Sequence, residues 1–522
     1  MFTVACYGTN NVHGYSLAPS HSSDCQRQRR HKIQPTPLHV HIYTGTTWRM
    51  VNAPSPAPVL VLLRDDYRVA DNPALHAACA TGQPVLCAYV QDAALQDAPT
   101  TRIAGWAQAA CAQLATSLHK QGQTLLMLSG PTRLSVPALA QAINATDVFW
   151  NRRYDAPGIA ADTDVHASLK KQGVTVHSCT GRLLFEPWAI RTQAGQPYRV
   201  FTAWWRAARD LPEPPPPLPA PDMHGKSYVP ARALNLPEGV RLARVGTQMP
   251  PALPGWTSGE QCAHTNLHRF IENALEDYET QRDRTDATHG TSLLSPYIRV
   301  GQISVRQIWH AIRHAAHLHP QLATDAEKFL AELGWRDFAW MQMFTTPDLA
   351  TRNLRAEFNH MPWRTDATDL AAWQQGQTGF PLVDAGMRQL ARTGWMHNRV
   401  RMVVASFLTK HLLTDWQKGE RWFYAHLLDA DAAVNAMNWQ WGAGTGIDAA
   451  PWFRIFNPVG QSEKYDPLGQ YIRTWVPELA ALDNKTIHTP WKSAQRLNYP
   501  PPIVDLKLGR LRALECWKNL PK

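Results

Sequence analysis

The chain changes its hydrophobic period once, near its middle, and a proline-dense segment marks the change. Between residues 58 and 187 short apolar runs alternate with helical patterns. The runs 59–63, 84–90, 124–129, 147–150 and 174–177 read as strands; 73–80, 102–121, 136–142 and 162–172 read as helices. Such alternation requires crossover connections, so it predicts a doubly wound parallel sheet covered by helices, an α/β domain over 57–187. Residues 211–222 then read LPEPPPPLPAPD, which favours an extended polyproline conformation within a linker over 188–258. From 259 the strand pattern is gone. Helical periods over 265–281, 304–316, 325–344, 381–392, 399–413 and 422–428 predict an all-α domain over 259–505, followed by a tail over 506–522.

Residues 1–56 fit neither half. They are rich in His, Arg, Ser and Thr without apolar period, and the basic run 27–32 has no apolar segment after it, which argues against a secretory signal. They read as an unstructured or over-extended start, with Met50 as the initiator. No stretch approaches the roughly 20 apolar residues that span a bilayer, so no membrane partner is expected. The eight cysteines are scattered, with no C-x-x-C pair, as reduced thiols in a cytoplasmic chain are. The net charge of +10 favours a polyanionic partner.

Two glycine-rich matches carry no nucleotide site. GAGTG at 442–446 follows no strand, and GKS at 225–227 has Ala220 where a phosphate loop needs glycine. Cys262, His264 and His268 lack a second pair of ligands, so no metal site is expected. The informative region runs from 278 to 464. If helical, Asp431, Asn435 and Trp439 share one face at i, i+4 and i+8, a poor core stripe but a good lining for a polar heteroaromatic cofactor. Asn398, Arg401 and Met402 fall together at i, i+3 and i+4, and arginines inside an apolar helix call for anionic partners such as Asp429, Asp431 or phosphates. GTSLLS at 290–295 can cap a helix and meet phosphate through its backbone.

Together these stretches resemble the photolyase/cryptochrome family, in that family's order: RDDYRVADNPAL from Arg64, FLAELGWRDF from Phe329, ARTGWMHNRVRMVVASFLTKHLLTDWQKGERWF from Ala391 and DADAAVNAMNWQWGAGTGIDAAPWFRIFNP from Asp429. The resemblance covers nearly everything from 58 to 501. It implies FAD in the helical domain, with Tyr278, Thr291, Ser292, Leu293, Leu294 and Ser295 at the phosphates. Trp395, Asn398 and Arg401 would line the pocket. Asp429 would pair with Arg401, Ala430 and Asp431 would meet the flavin, and Asn435 would stand nearest its N5. Trp439, Trp416 and Trp363 match the family's electron-transfer chain.

The resemblance also implies a substrate, DNA containing pyrimidine dimers, bound with the dimer flipped out of the stack. Glu332, Trp335, Asn398, Met402 and Trp441 match the dimer pocket; Arg282, Arg336, Arg399, Arg454, Gln461 and Lys464 match the DNA-contacting rim. Met402 and Asn398, where (6-4) enzymes carry histidines, resemble class I cyclobutane-dimer enzymes of bacteria, which implies a cytoplasmic, nucleoid-associated monomer. Asn435, where plant receptors carry Asp, points the same way. A non-repairing blue-light sensor and a (6-4) enzyme are the alternatives. WNRRYDA at 150–156 could line a second, antenna chromophore: methenyltetrahydrofolate by default, deazaflavin or FMN otherwise. The chain departs from the family in that domain at Asp65, where Arg or Gln is usual, and at Tyr67, where Leu is.

Overall fold

An apolar run can be buried on both faces only if helices cover both sides of its sheet, and that is what the first half builds. The computed structural model describes residues 56–230, 234–243, 254–287 and 290–521; the N-terminal extension, residues 1–55, lies outside them. Five parallel strands, Val59–Leu62 (β1), Val85–Gln91 (β2), Leu125–Ser129 (β3), Asp147–Asn151 (β4) and Thr175–Cys179 (β5), stand in the order β5-β4-β1-β2-β3. Central β1 is buried at all positions, whereas edge strand β5 is half exposed. Each covering helix starts at a residue suited to starting it. Asn72 and Thr101 cap Pro73–Ala80 and Arg102–Lys120 through their side chains. The fourth helix begins earlier than its apolar pattern suggests, at Ala156, because Asp155 accepts from Gly158 N at 3.0 Å and Pro157 sits in the first turn.

The segment read as a linker is not featureless. Arg241–Ala243 (β6) adds an antiparallel edge to β3, a short strand that shields the sheet edge. Phe201–Arg209 is a helix whose Phe201, Trp204, Trp205 and Ala208 are buried at helical spacing. It docks on the long helix Ala323–Thr345, where Gly334 leaves room for the Trp205 ring.

The second half is helical throughout. The expected helix 265–281 is broken into Glu260–Asn273 and the short turn Tyr278–Gln281. Asp277 there is left-handed, at φ 65°, and Asp325 accepts from both Asp277 N and Glu279 N. The expected 399–413 runs as α-helix over Asn398–Ser406 and then widens to a π-turn, Phe407–His411, which carries the buried Lys410 to Ala443 O at 2.8 Å. Residues 506–518, read as part of a tail, instead form the helix Leu506–Lys518. Gly509 passes so close to His411 that a Cβ would stand 2.9 Å from its carbonyl oxygen, and Ala513 O accepts from Trp452 Nε1 at 3.0 Å.

Replacing Gly334 by Ala places a methyl 2.5 Å from the Trp205 ring. This overpacking is expected to cost about 1–3 kcal/mol, read as a lower thermal midpoint in a melting curve; an unchanged midpoint would mean that the linker helix is not docked there.

Candidate flavin and DNA site

The residues expected at the flavin come from the start of one helix, the turn before another and the segment 290–299. Asp429 lies in the turn between Trp416–His426 and Ala432–Ala443. It receives Arg401 Nη2 at 2.9 Å and Nη1 at 3.2 Å, and Ser295 Oγ at 2.6 Å. Arg401 also donates through Nε to Met396 O at 2.8 Å, so the guanidinium is held flat at the wall. Asp431 spends one oxygen on capping its own helix, accepting from Ala433 N and Val434 N, and the other accepts from Trp340 Nε1 at 3.1 Å. Arg299 Nε fixes Ala430 O at 2.6 Å.

Asn435 is buried and donates through Nδ2 to Glu420 O at 3.0 Å and Oε1 at 2.8 Å. Burial raises the Glu420 carboxyl, and the Asn435 contact opposes that. Glu420 escaped the sequence reading because it sits on another helix, 15 residues upstream, where no period links the two. His397 caps Asn398–Ser406, accepting from Arg399 N at 3.2 Å, while its Nε2 is buried without a hydrogen-bond partner among the described residues. Burial, aided by the surrounding arginines, pushes its pKa down to about 4, so the ring is neutral near pH 7. Tyr278 packs edge-on against Phe270 and Phe329, each at 5.4 Å between centroids. Leu293 adopts φ 55°, with Thr291 and Ser292 just before it. Trp395 is half-buried, its ring edge-on to His397.

Trp439 and Trp416 are buried and Trp363 is half-buried. Gly419, one turn after Trp416, lets the Trp439 ring lie against that helix; a Cβ would stand 2.2 Å from it. Arg364 N donates to Leu413 O at 2.8 Å, which draws the segment of Trp363 alongside the one leading to Trp416. Trp373, not singled out in the sequence, meets Trp439 edge-on at 6.2 Å.

Outside the pocket, Asn398 is exposed, and Met402 and Trp441 are half-buried on two helices that touch at Ala405 and Gly442. Trp335 stacks on Phe201 at 3.7 Å and 13°. Two rim arginines are already paired: Arg282 donates to Glu332, and Arg399 to Asp283. Arg399 also lies over the Tyr465 ring at 4.5 Å, with Lys464 Nζ 5.1 Å from the same ring. Arg454 and Lys464 are exposed, and Gln461 is half-buried beside them. Arg336, expected on the same rim, donates to Arg182 O at 2.8 Å and lies 3.4 Å from Asp337, its side chain about as buried as those of Arg282 and Arg399.

A separate cavity of about 600 Å³ lies at the carboxyl ends of β1, β2 and β4 and is closed by Arg299, Trp340 and Tyr424 from the helical half. Arg153 and Asp155 of WNRRYDA line it, and so do Asp65 and Tyr67.

The chain is similar to known proteins over most of its length. Residues 59–222 match the DNA photolyase family model, and residues 329–519 match the model for the FAD binding domain of DNA photolyase. The deoxyribodipyrimidine photo-lyase of Agrobacterium fabrum is 42% identical over 486 residues, covering 89% of this chain and 98% of its own. That of Escherichia coli is 37% identical over 89% of this chain and 99% of its own, and cryptochrome-2 of Arabidopsis thaliana is 34% identical over 86% and 77%. Among solved structures, a bacterial class III photolyase from Agrobacterium tumefaciens superposes with a TM-score of 0.82 at 40% identity, covering 90% of this chain and 99% of that one. A photolyase from Sulfolobus tokodaii, solved with two FAD molecules, gives 0.75 at 27% over 89% and 100%.

Asp429→Asn leaves Arg401 without its counter-ion. It is expected to lower stability by about 1–3 kcal/mol and to reduce the flavin retained on purification, measured as the ratio of flavin to protein absorbance; full retention would remove the pair from the pocket. The α/β sheet, the helical FAD-binding half and the relatives in register place this chain in the DNA photolyase/cryptochrome family.

Proposed function

We propose that the chain repairs cyclobutane pyrimidine dimers in DNA by light-driven electron transfer. The observation that carries this reading is Asn435: a buried, uncharged amide pinned through its N–H groups by Glu420, with Oδ1 as its acceptor. The pocket fits FAD. A bidentate ion pair, the amide of Asn435 with its Nδ2 held by Glu420, and the hydroxyls of Thr291 and Ser292 form a polar set suited to a flavin ring and a pyrophosphate. FAD, when bound, supplies light-driven one-electron chemistry.

The chain's own groups do the rest. Arg401 and Asp429 hold a ring edge between them, and Asp431 and Ala430 offer acceptors beside it. Asn435 accepts a proton-bearing nitrogen without adding charge. Trp363, Trp416 and Trp439 relay electrons inward from the surface. Trp335 and Trp441 present flat faces to the flipped pair, Glu332 and Asn398 hydrogen-bond its polar edge, and Met402 packs against it. Arg282, Arg336, Arg399, Arg454, Gln461 and Lys464 take the phosphates. Arg153, Asp155, Asp65 and Tyr67 in the 600 Å³ cavity would hold a second chromophore, which would supply light harvesting there. A cytoplasmic monomer acting at the nucleoid accords with this role; among the described residues no helix is long and apolar enough to cross a membrane.

Reduced, FAD-loaded protein is expected to repair oligothymidine carrying a cyclobutane dimer in blue light and not in darkness. Repair of a (6-4) photoproduct alone would change the substrate, and repair of neither would leave a light sensor. Trp363→Phe should slow photoreduction yet spare repair by pre-reduced protein; equal photoreduction rates would remove Trp363 from the relay. Affinity for the damaged strand should fall steeply with salt, and Lys464→Ala should lessen the slope of log affinity against log salt by about 1.

A further inference from the structure

We propose that Asp283 and Glu332 form an acidic screen in front of the rim arginines, which lowers the affinity of this chain for undamaged DNA. The proposal rests on the reading of that rim as the DNA-contacting face and adds two residues that set its selectivity.

A net charge of +10 draws the chain to any nucleic acid, and undamaged duplex far outnumbers damaged sites. The rim cations fall into two kinds. Arg454 and Lys464 are exposed and have no ion-pair partner among the described residues. Arg282 and Arg399 each donate to a carboxylate, that of Glu332 and that of Asp283. In both pairs the carboxylate is the more exposed member: 34% for Glu332 and 30% for Asp283, against 14% for each arginine. A phosphate approaching from solvent meets the negative charge before it meets the guanidinium. On the same two helices, the pairs Arg401–Asp429 and Arg336–Asp337 are placed the other way round, with the carboxylate deeper than its arginine.

The two screening pairs are adjacent. Burial opposes the charge of Arg282, but Glu332, Tyr278 and Asp283 more than offset it, so its pKa is raised. The Arg282 guanidinium lies over the Tyr278 ring at 5.4 Å, and Arg399 over the Tyr465 ring at 4.5 Å. Each guanidinium thus has an aromatic ring against it and a carboxylate on its donors. A phosphate docked there would stand beside an oxyanion, and like charges so juxtaposed select against a partner. The two screens lift differently. Glu332 is proposed to hold a flipped base, so a dimer supplies it with new donors and loosens its hold on Arg282. Undamaged DNA supplies none. Asp283 has no such role and opposes both kinds of DNA alike.

An undamaged duplex is titrated into the full-length, FAD-loaded chain and followed by fluorescence anisotropy at several salt concentrations. Asp283→Asn and Glu332→Gln are each expected to bind it about three- to tenfold more tightly at low salt. Log affinity should fall more steeply against log salt by about 1, because one uncovered cation adds one phosphate contact. Adding Arg399→Ala to Asp283→Asn should abolish the gain. A weaker or unchanged affinity in Asp283→Asn would mean that the carboxylate merely orients Arg399, and overturns the proposal; so does a gain that survives the loss of Arg399. FAD content and melting confirm the fold of each variant, and Asp283→Ser repeats the test. On duplex carrying one cyclobutane dimer, Glu332→Gln should lose preference for damage by at least the factor gained on undamaged DNA, and Asp283→Asn should keep it. A preference kept in Glu332→Gln overturns the part given to Glu332. A wild-type chain that ignores the dimer would sink the repair reading, whereas the screen, read on undamaged DNA alone, would stand.

Discussion

One buried guanidinium ties the two halves together. Arg68 is 1% exposed and donates to Asp71 O at 3.0 and 2.8 Å, to Gly181 O at 2.8 Å and to Gly301 O at 3.0 Å. These carbonyls belong to the loop after β1, the segment after β5 and the turn between the helices Ser295–Arg299 and Val305–Leu318. A charge this deep is tolerable only because its donors are occupied, and that requirement fixes the three segments against one another. Asp71 adds to the tie, accepting from Ser304 Oγ and from Arg306 at 2.6 Å. The cavity at the strand ends takes part of its wall from each half, so its shape depends on this junction.

The same economy recurs at the rim. Arg282 and Arg399 are held by Glu332 and Asp283, and Arg399 is steadied by the Tyr465 ring. The carboxylates keep the guanidiniums oriented before any phosphate arrives. In the proposed function, association exchanges one oxyanion for another, which limits the ordering cost of binding. Glu332, proposed to hold the flipped base, is also the partner of Arg282.

The strands and most covering helices were legible because their burial follows local periodicity. Helix ends were less so: the early start at Ala156 depends on Asp155 and Pro157, and the break at Asp277 depends on Asp325, 48 residues away. The helix Leu506–Lys518 was missed because its burial is narrow, resting on Gly509 and Ala513. In the site, Asn398 and Met402 were readable as neighbours from helical spacing. Glu420, Asp283 and the placement of Arg336 were not, since each depends on a partner from another element.

The sequence by itself determined the class of the fold and the chemistry available: periodicity dictates which segments are strands or helices, and the long motifs carry the flavin-domain resemblance. Only the tertiary structure decided which charges meet. Ion pairs such as Arg401 with Asp429 and Arg182 with Asp65 join residues 28 and 117 positions apart, and Coulomb attraction depends on distance in space, which no spacing along the chain encodes.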